Sequence, residues 1–178
     1  KPPSKDELAT GPGLTGVINL KTYRETLDLA LGQQPQTQHV FVVSGTLEHD
    51  KRFEVLAREQ LRDFESKVQI TYLTDLSSEE LIDKVKNLPD RSMVLYVWQQ
   101  SQNQQGKVLE TKEVFDMVAR SARVPIYGMT LLVLWPGQRE GSTDSTGMIG
   151  GYTTTSKLIA RKLAEIVVSI LSGARPQD

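Results

Sequence analysis

Four short apolar runs, each followed by a stretch of helical periodicity, organise this chain. Val40-Phe41-Val42-Val43 is a continuous β-branched and aromatic run, closed by the turn-like Ser44-Gly45-Thr46. Residues 68–73, 93–98 and 124–127 repeat the pattern, carrying Ile70 and Tyr72, then Val94 to Trp98, then Ile126 and Tyr127. Runs that are apolar on both faces suit a parallel sheet covered by helices on each side.

The segments between them read as amphipathic helices. Thr22-x-x-Glu25 has the spacing of a capping box, and Tyr23, Leu27, Ala30 and Leu31 then fall on one face; Gly32 and Pro35 stop the helix. A second helix, from 51 to about 66, has the stripe Phe53, Leu56, Ala57, Leu61 and Phe64. Ser77-x-x-Glu80 opens a third, with Leu81, Ile82, Val85 and Leu88 inward. Residues 111–123 bury Val114, Phe115, Val118 and Ala119. The last helix, 156–171, is expected to turn Ile159, Leu163, Ile166, Val167 and Ile170 toward the core.

Strands start roughly every 25 residues, the length of a strand plus a crossover helix. Right-handed crossovers then predict a three-layer α/β/α sandwich with a mainly parallel sheet. Two segments break the rhythm. Residues 99–106 form a polar, uncharged loop, and 129–147 begin apolar and end in Pro, Gly and polar residues. The expected organisation is a flexible segment over 1–13, an α/β lobe over 14–128, a long loop or insertion over 129–147, and a final strand and helix over 148–178. The last piece belongs to the same lobe or to a partner lobe. The opening Lys-Pro-Pro stretch, without Met, reads like a cut inside something longer.

Composition narrows the function classes. Lys and Arg number 21 against 22 Asp and Glu in 178 residues, a net charge of -1, so the chain has no electrostatic footprint for duplex nucleic acid or an anionic membrane surface. No apolar run approaches the roughly 18 residues of a membrane span. Cysteine is absent and the histidines are His39 and His49 alone. Disulfides, cysteine nucleophiles and nearly every zinc site are thereby excluded, and neither a metal nor a cofactor is expected.

In open α/β sheets, ligands sit beyond the carboxyl ends of the strands. The candidates there are Ser44, Gly45 and Thr46, then Trp98 and Gln99, then Tyr127 and Gly128. Hydroxyls, amides and aromatic faces dominate this set, and titratable groups are scarce, which suits holding a ligand better than transforming one. Ser44-Gly45-Thr46 is read either as an anion cradle or as an ordinary strand-to-helix turn with a helix cap. His49 and Asp50 are expected to be solvated residues of a helix's first turn. The literal G-x-G-x-x-G match of Gly11-Pro-Gly13-Leu-Thr-Gly16 precedes a strand instead of following one, and Pro12 removes an amide a phosphate would need. A phosphoacceptor receiver domain fails at its essential acidic cluster.

In order and spacing, several motifs resemble one family. They are Leu14-Thr-Gly-Val17, Thr26-Leu-Asp-Leu-Ala-Leu31, His39-Val-Phe-Val-Val-Ser-Gly-Thr46 with Asp50-Lys-Arg52, Val94-Leu-Tyr96 with Gly106-Lys-Val108, Val124-Pro-Ile-Tyr-Gly128 and Met148-Ile-Gly-Gly-Tyr152, followed by the final helix and Ile170-Leu-Ser-Gly-Ala-Arg-Pro176. The chain resembles type I periplasmic-binding-protein-like domains of the ABC-transporter substrate-binding kind, as found in extracytoplasmic sensor regions of bacterial histidine kinases. That resemblance implies one lobe of a two-lobed fold, with a missing first lobe of the same protein. It also implies a small-molecule ligand, a cleft lined by the candidates above, a possible homodimer and no enzymatic activity of its own. Expected localisation is the periplasmic face, tethered to but not embedded in the membrane. The same-fold alternative is a free binding protein of an ABC transporter; a flavodoxin-like phosphate or flavin binder is the other. The 129–147 segment is longer than the family's usual crossing.

Overall fold

A computed structural model of the protein describes residues 15–17, 22–98, 101–128, 147–152 and 156–175; the side chains of His49, Trp98, Ser101 and Ser156 lie outside that description. Two compact units share the chain. One is Thr22–Thr153; the other joins Lys1–Lys21 to Thr154–Asp178.

The larger unit is an α/β sandwich. In chain order its elements are α1 (Tyr23–Gln33), β1 (His39–Ser44), α2 (Glu48–Leu61), a short 3-10 turn (Arg62–Phe64), β2 (Gln69–Leu73), α3 (Ser78–Lys86), β3 (Ser92–Trp98), β4 (Ser101–Gln102), β5 (Val108–Leu109), α4 (Thr111–Ser121), β6 (Ile126–Gly128) and β7 (Met148–Gly150). Five strands form a parallel sheet in the order β2-β1-β3-β6-β7. The expected α/β/α sandwich and parallel sheet are what the structure shows.

Each face of the sheet has its own core. Val40 and Val42 of β1, Met93, Leu95 and Val97 of β3 and Tyr127 of β6 pack under Tyr23, Leu27 and Ala30 of α1 and Ala57 and Leu61 of α2. The alternate residues Val43, Val94, Tyr96 and Ile126 pack under Leu81 and Val85 of α3 and Val114, Phe115 and Val118 of α4. Period-two alternation within each strand therefore feeds two cores, which explains why the strands read as unbroken apolar runs.

Local sequence and structure agree at most element starts, with instructive exceptions. Ser77 caps α3: its hydroxyl accepts the Glu80 amide at 3.3 Å, and its own amide donates to Glu80 Oε2 at 2.9 Å. Thr22 occupies the N-cap of α1 without capping it. The amides of Tyr23 and Arg24 donate instead to Gln60 Oε1 of α2, at 2.9 and 3.3 Å. Part of the expected 99–106 loop is a hairpin: β4 and β5 pair antiparallel, and Asn103 Oδ1 accepts the amides of Gln105 and Lys107 inside the turn. The second helix starts at Glu48, three residues before its apolar stripe suggests.

In the smaller unit, α5 (Ser156–Leu171) ends in a turn at Gly173, which adopts φ 101°. Its expected core stripe is corrected in part. Leu163 and Val167 are 43% and 54% exposed, whereas Ile159, Ile166 and Ile170 are half-buried; among the described residues none of the five belongs to either core cluster of the sheet.

Where β6 and β7 end, the backbones press together. A Cβ on Gly151 would lie 1.6 Å from the carbonyl oxygen of Gly128, whereas one on Gly150 would meet nothing within 4 Å. Gly151→Ala is therefore expected to destabilise the larger unit by about 1–3 kcal/mol, and Gly150→Ala to stay within about 0.5 kcal/mol. Urea unfolding of the two variants side by side checks this.

Candidate functional site

The strand order locates a crevice. The chain leaves β1 toward β2 through α2, on one face; it leaves the adjacent strand β3 toward β6 through α4, on the other face. Between two such neighbours the connections part, and a gap opens above the carboxyl edge of the sheet. A register shift between Val43 and Ser44 places Ser44 opposite Trp98, so both stand at that edge. Bulges of this kind re-aim strand ends. On the next strand Gly128 lies opposite Tyr96.

The expected site residues divide by what their side chains do. Ser44 is buried, and its hydroxyl donates to the carbonyl of Asp50 at 3.2 Å, fastening the loop to the first turn of α2. Gly45 is buried beside it. Thr46 is half-buried, and its Oγ1 is sealed from solvent without a hydrogen-bond partner. Gly128 ends β6, hemmed by Met148 and the Tyr96 carbonyl. Tyr127 has a core side chain: it is fully buried under α1, and its hydroxyl donates to Gln33 Oε1 at 3.1 Å. The Trp98 side chain and all of Gln99 fall outside the described residues.

The three helix N-termini at this edge differ. Those of α3 and α4 are bridged by their own carboxylates, Glu80 accepting from the Ser77 amide and Glu113 from the Glu110 amide at 3.1 Å. At α2 the N-cap is Leu47, with no side-chain cap. Its first turn nevertheless carries two carboxylates, Glu48 and the buried Asp50, at the positive end of the helix.

Two residues at this edge escape sequence reasoning. Asp50, expected to be solvated, is wholly buried. Tyr96 is also wholly buried. Its hydroxyl donates to the Thr111 carbonyl at 3.3 Å, and its ring meets Phe115 edge-on at 5.2 Å. Burial, reinforced by the charges of Asp50 and Asp116, drives the Tyr96 hydroxyl pKa upward, so it stays protonated and serves as a donor, not as a base. Thr111, the first residue of α4, is buried with an unpartnered Oγ1. The alternation of β3 could have put Tyr96 on the α4 side; nothing in sequence marks Asp50 for burial. Among the described residues, no three His, Asp or Glu side chains converge as a metal site would need.

No family model and no curated protein sequence matches the chain. Solved structures do. A conserved domain protein from Vibrio cholerae O1 biovar El Tor superposes with a TM-score of 0.57 at 15% identity, over 92% of this chain and 50% of that one. An ABC domain from Streptococcus pneumoniae, in complex with L-Trp, superposes with a TM-score of 0.53 at 15% identity, over 92% and 51%. The likeness is one of fold. This chain spans about half the length of either neighbour.

The amide and hydroxyl of Ser77 hold the Glu80 carboxyl below the ordinary glutamate value. That contribution is complete at neutral pH, above the unfolded value of about 4.3, and is lost as pH falls through the lowered folded value. Ser77→Ala should flatten the fall in urea midpoint on acidification, and midpoints measured from pH 7 downward for parent and variant check it.

Proposed function

We propose that this chain binds a small organic molecule in the crevice between the β1 and β3 connections and does not transform it. The observation that carries this reading is a matched pair of sealed hydroxyls without protein partners. Thr46 lies in the connection leaving β1, and Thr111 in the connection leaving β3. Buried polar atoms are normally paired, and a ligand with its own donors and acceptors would complete both.

The chemistry nearby supports holding over reacting. Tyr96 stays protonated, and the Ser44 hydroxyl is engaged with the backbone of Asp50 instead of with a base. The L-Trp complex of the streptococcal ABC domain supports a compact, partly aromatic ligand class. We extend this reading to a sensor on the extracytoplasmic side of a membrane. Ligand would favour closure of a second lobe onto this one, and closure would be relayed to an output domain.

Calorimetric titration with amino acids (L-Trp first), nucleosides and sugars tests it. One class is expected to bind, with Thr46→Val weakening affinity about tenfold, the loss of one good hydrogen bond, and leaving the melting temperature unchanged. Trp98→Ala should weaken the same ligand if the indole stacks on it. Titrations that stay flat across the panel, or an affinity indifferent to Thr46→Val, would overturn the crevice as the site.

A further inference from the structure

Within the larger unit, β2 is an outer strand of the sheet, and its backbone has one side bonded and one side open. The Gln69 amide donates to the carbonyl of Gln38 at 2.8 Å, and residues 69–73 run in register with 39–43 of β1. Backbone groups alternate in direction along a strand. Gln69, Thr71 and Leu73 therefore bond inward to β1, while Ile70 and Tyr72 point their amides and carbonyls outward. Among the described residues, no strand takes up these outward groups.

An open edge is ordinarily blunted by charge, proline, a bulge or shortness. The opposite edge follows that rule: β7 has three residues, and its pairing with β6 is irregular. β2 carries none of these devices. Gln69-Ile-Thr-Tyr-Leu73 holds no charge and no proline, and its ladder with β1 is regular over all five residues. Charges flank it instead, Lys67 before and Asp75 after, both exposed and each four residues from Thr71.

That spacing selects both a partner and a register. When β2 pairs antiparallel with a second β2 about Thr71, Ile70 of each copy faces Tyr72 of the other, and the outward amides and carbonyls are exchanged. Lys67 of each copy then faces Asp75 of the other, which puts opposite charges together at both ends of the joined strands. Asp75 already holds Lys51 at 3.5 Å, and a carboxylate accepts from more than one ammonium. Centring the pairing on Ile70 would set Asp75 against Glu65, and centring it on Tyr72 would leave Lys67 opposite Ser77.

We propose that β2 is the interface through which two copies of this chain join, their sheets becoming one across a two-fold axis at Thr71. On that axis the two Thr71 residues form a pair without mutual hydrogen bonds, their Cα atoms about 4.5 Å apart. The interface uses none of the crevice residues.

The cysteine-free sequence allows a direct test. In the 178-residue chain, light scattering of the parent should give twice the single-chain mass. With Thr71→Cys, mild oxidation should link the two copies, because the axis brings the sulfurs within disulfide reach. Gln69→Cys, at a more exposed position, should stay unlinked, since it faces Leu73 of the second copy. Lys67→Asp, which opposes two carboxylates at each end, should weaken the dimer about tenfold. Adding Asp75→Asn should recover most of that loss, asparagine being suited to the left-handed backbone of that residue at φ 56°. A single-chain mass at millimolar protein overturns the interface, as does a Gln69→Cys chain that links as readily as Thr71→Cys, or a dimer whose Thr71→Cys stays unlinked. So does a dimer that Lys67→Asp leaves unchanged or that Asp75→Asn does not restore.

Discussion

The parallel pairing of β1 with β3 is the interaction on which the rest of this structure depends. A parallel sheet must be covered on both faces, because each strand is joined to the next by a helix that crosses over it. With β1 and β3 as neighbours, the chain has to travel outward from β1 in one direction and from β3 in the other. Right-handed crossovers then send α2 to one face and α4 to the other. The two cores, the parting of the connections and the crevice at the carboxyl edge all follow from that single adjacency.

Polar groups at the edges of this frame are satisfied across long sequence distances. Gln60 takes the first amides of α1, Thr22 and Thr26 take both polar groups of Tyr152, and Tyr96 bonds to Thr111. Only the Tyr96 bond is wholly buried, where the donor must find an acceptor from another element; the others are part-buried or exposed. By contrast, two ion pairs among the described residues lie on the surface. Arg24–Asp63 at 2.6 Å and Lys112–Asp116 at 2.6 Å are largely exposed and contribute little. The architecture rests on apolar burial, and its geometry is trimmed by a few hydrogen bonds between distant elements.

The hydrophobic pattern carried most of the architecture. Strands at β1, β2, β3 and β6, and helices with the stripes Tyr23-Leu27-Ala30, Leu81-Val85 and Val114-Phe115-Val118, were legible because periods of two and 3.6 are local consequences of backbone geometry. Ser77 and Glu80 were legible for the same reason, since a capping box lies within one helical turn. Ser44 and Trp98 were recognisable as strand-end residues. That they stand opposite one another depends on a register shift that no local pattern encodes.

Sequence alone therefore determined the fold class and the stripes of the four helices that cover the sheet. These properties are sums over short windows of chain or over composition. Tertiary structure alone decided that Asp50 is buried, that Tyr127 is a core residue bonded to Gln33, and that the stripe of α5 stays largely outside the cores. It also decided that Thr22 gives its hydroxyl to Tyr152 while Gln60 caps its helix. The reason is common to all of them. A side chain's partner is set by which elements meet in space, and a local window holds only one side of such a meeting.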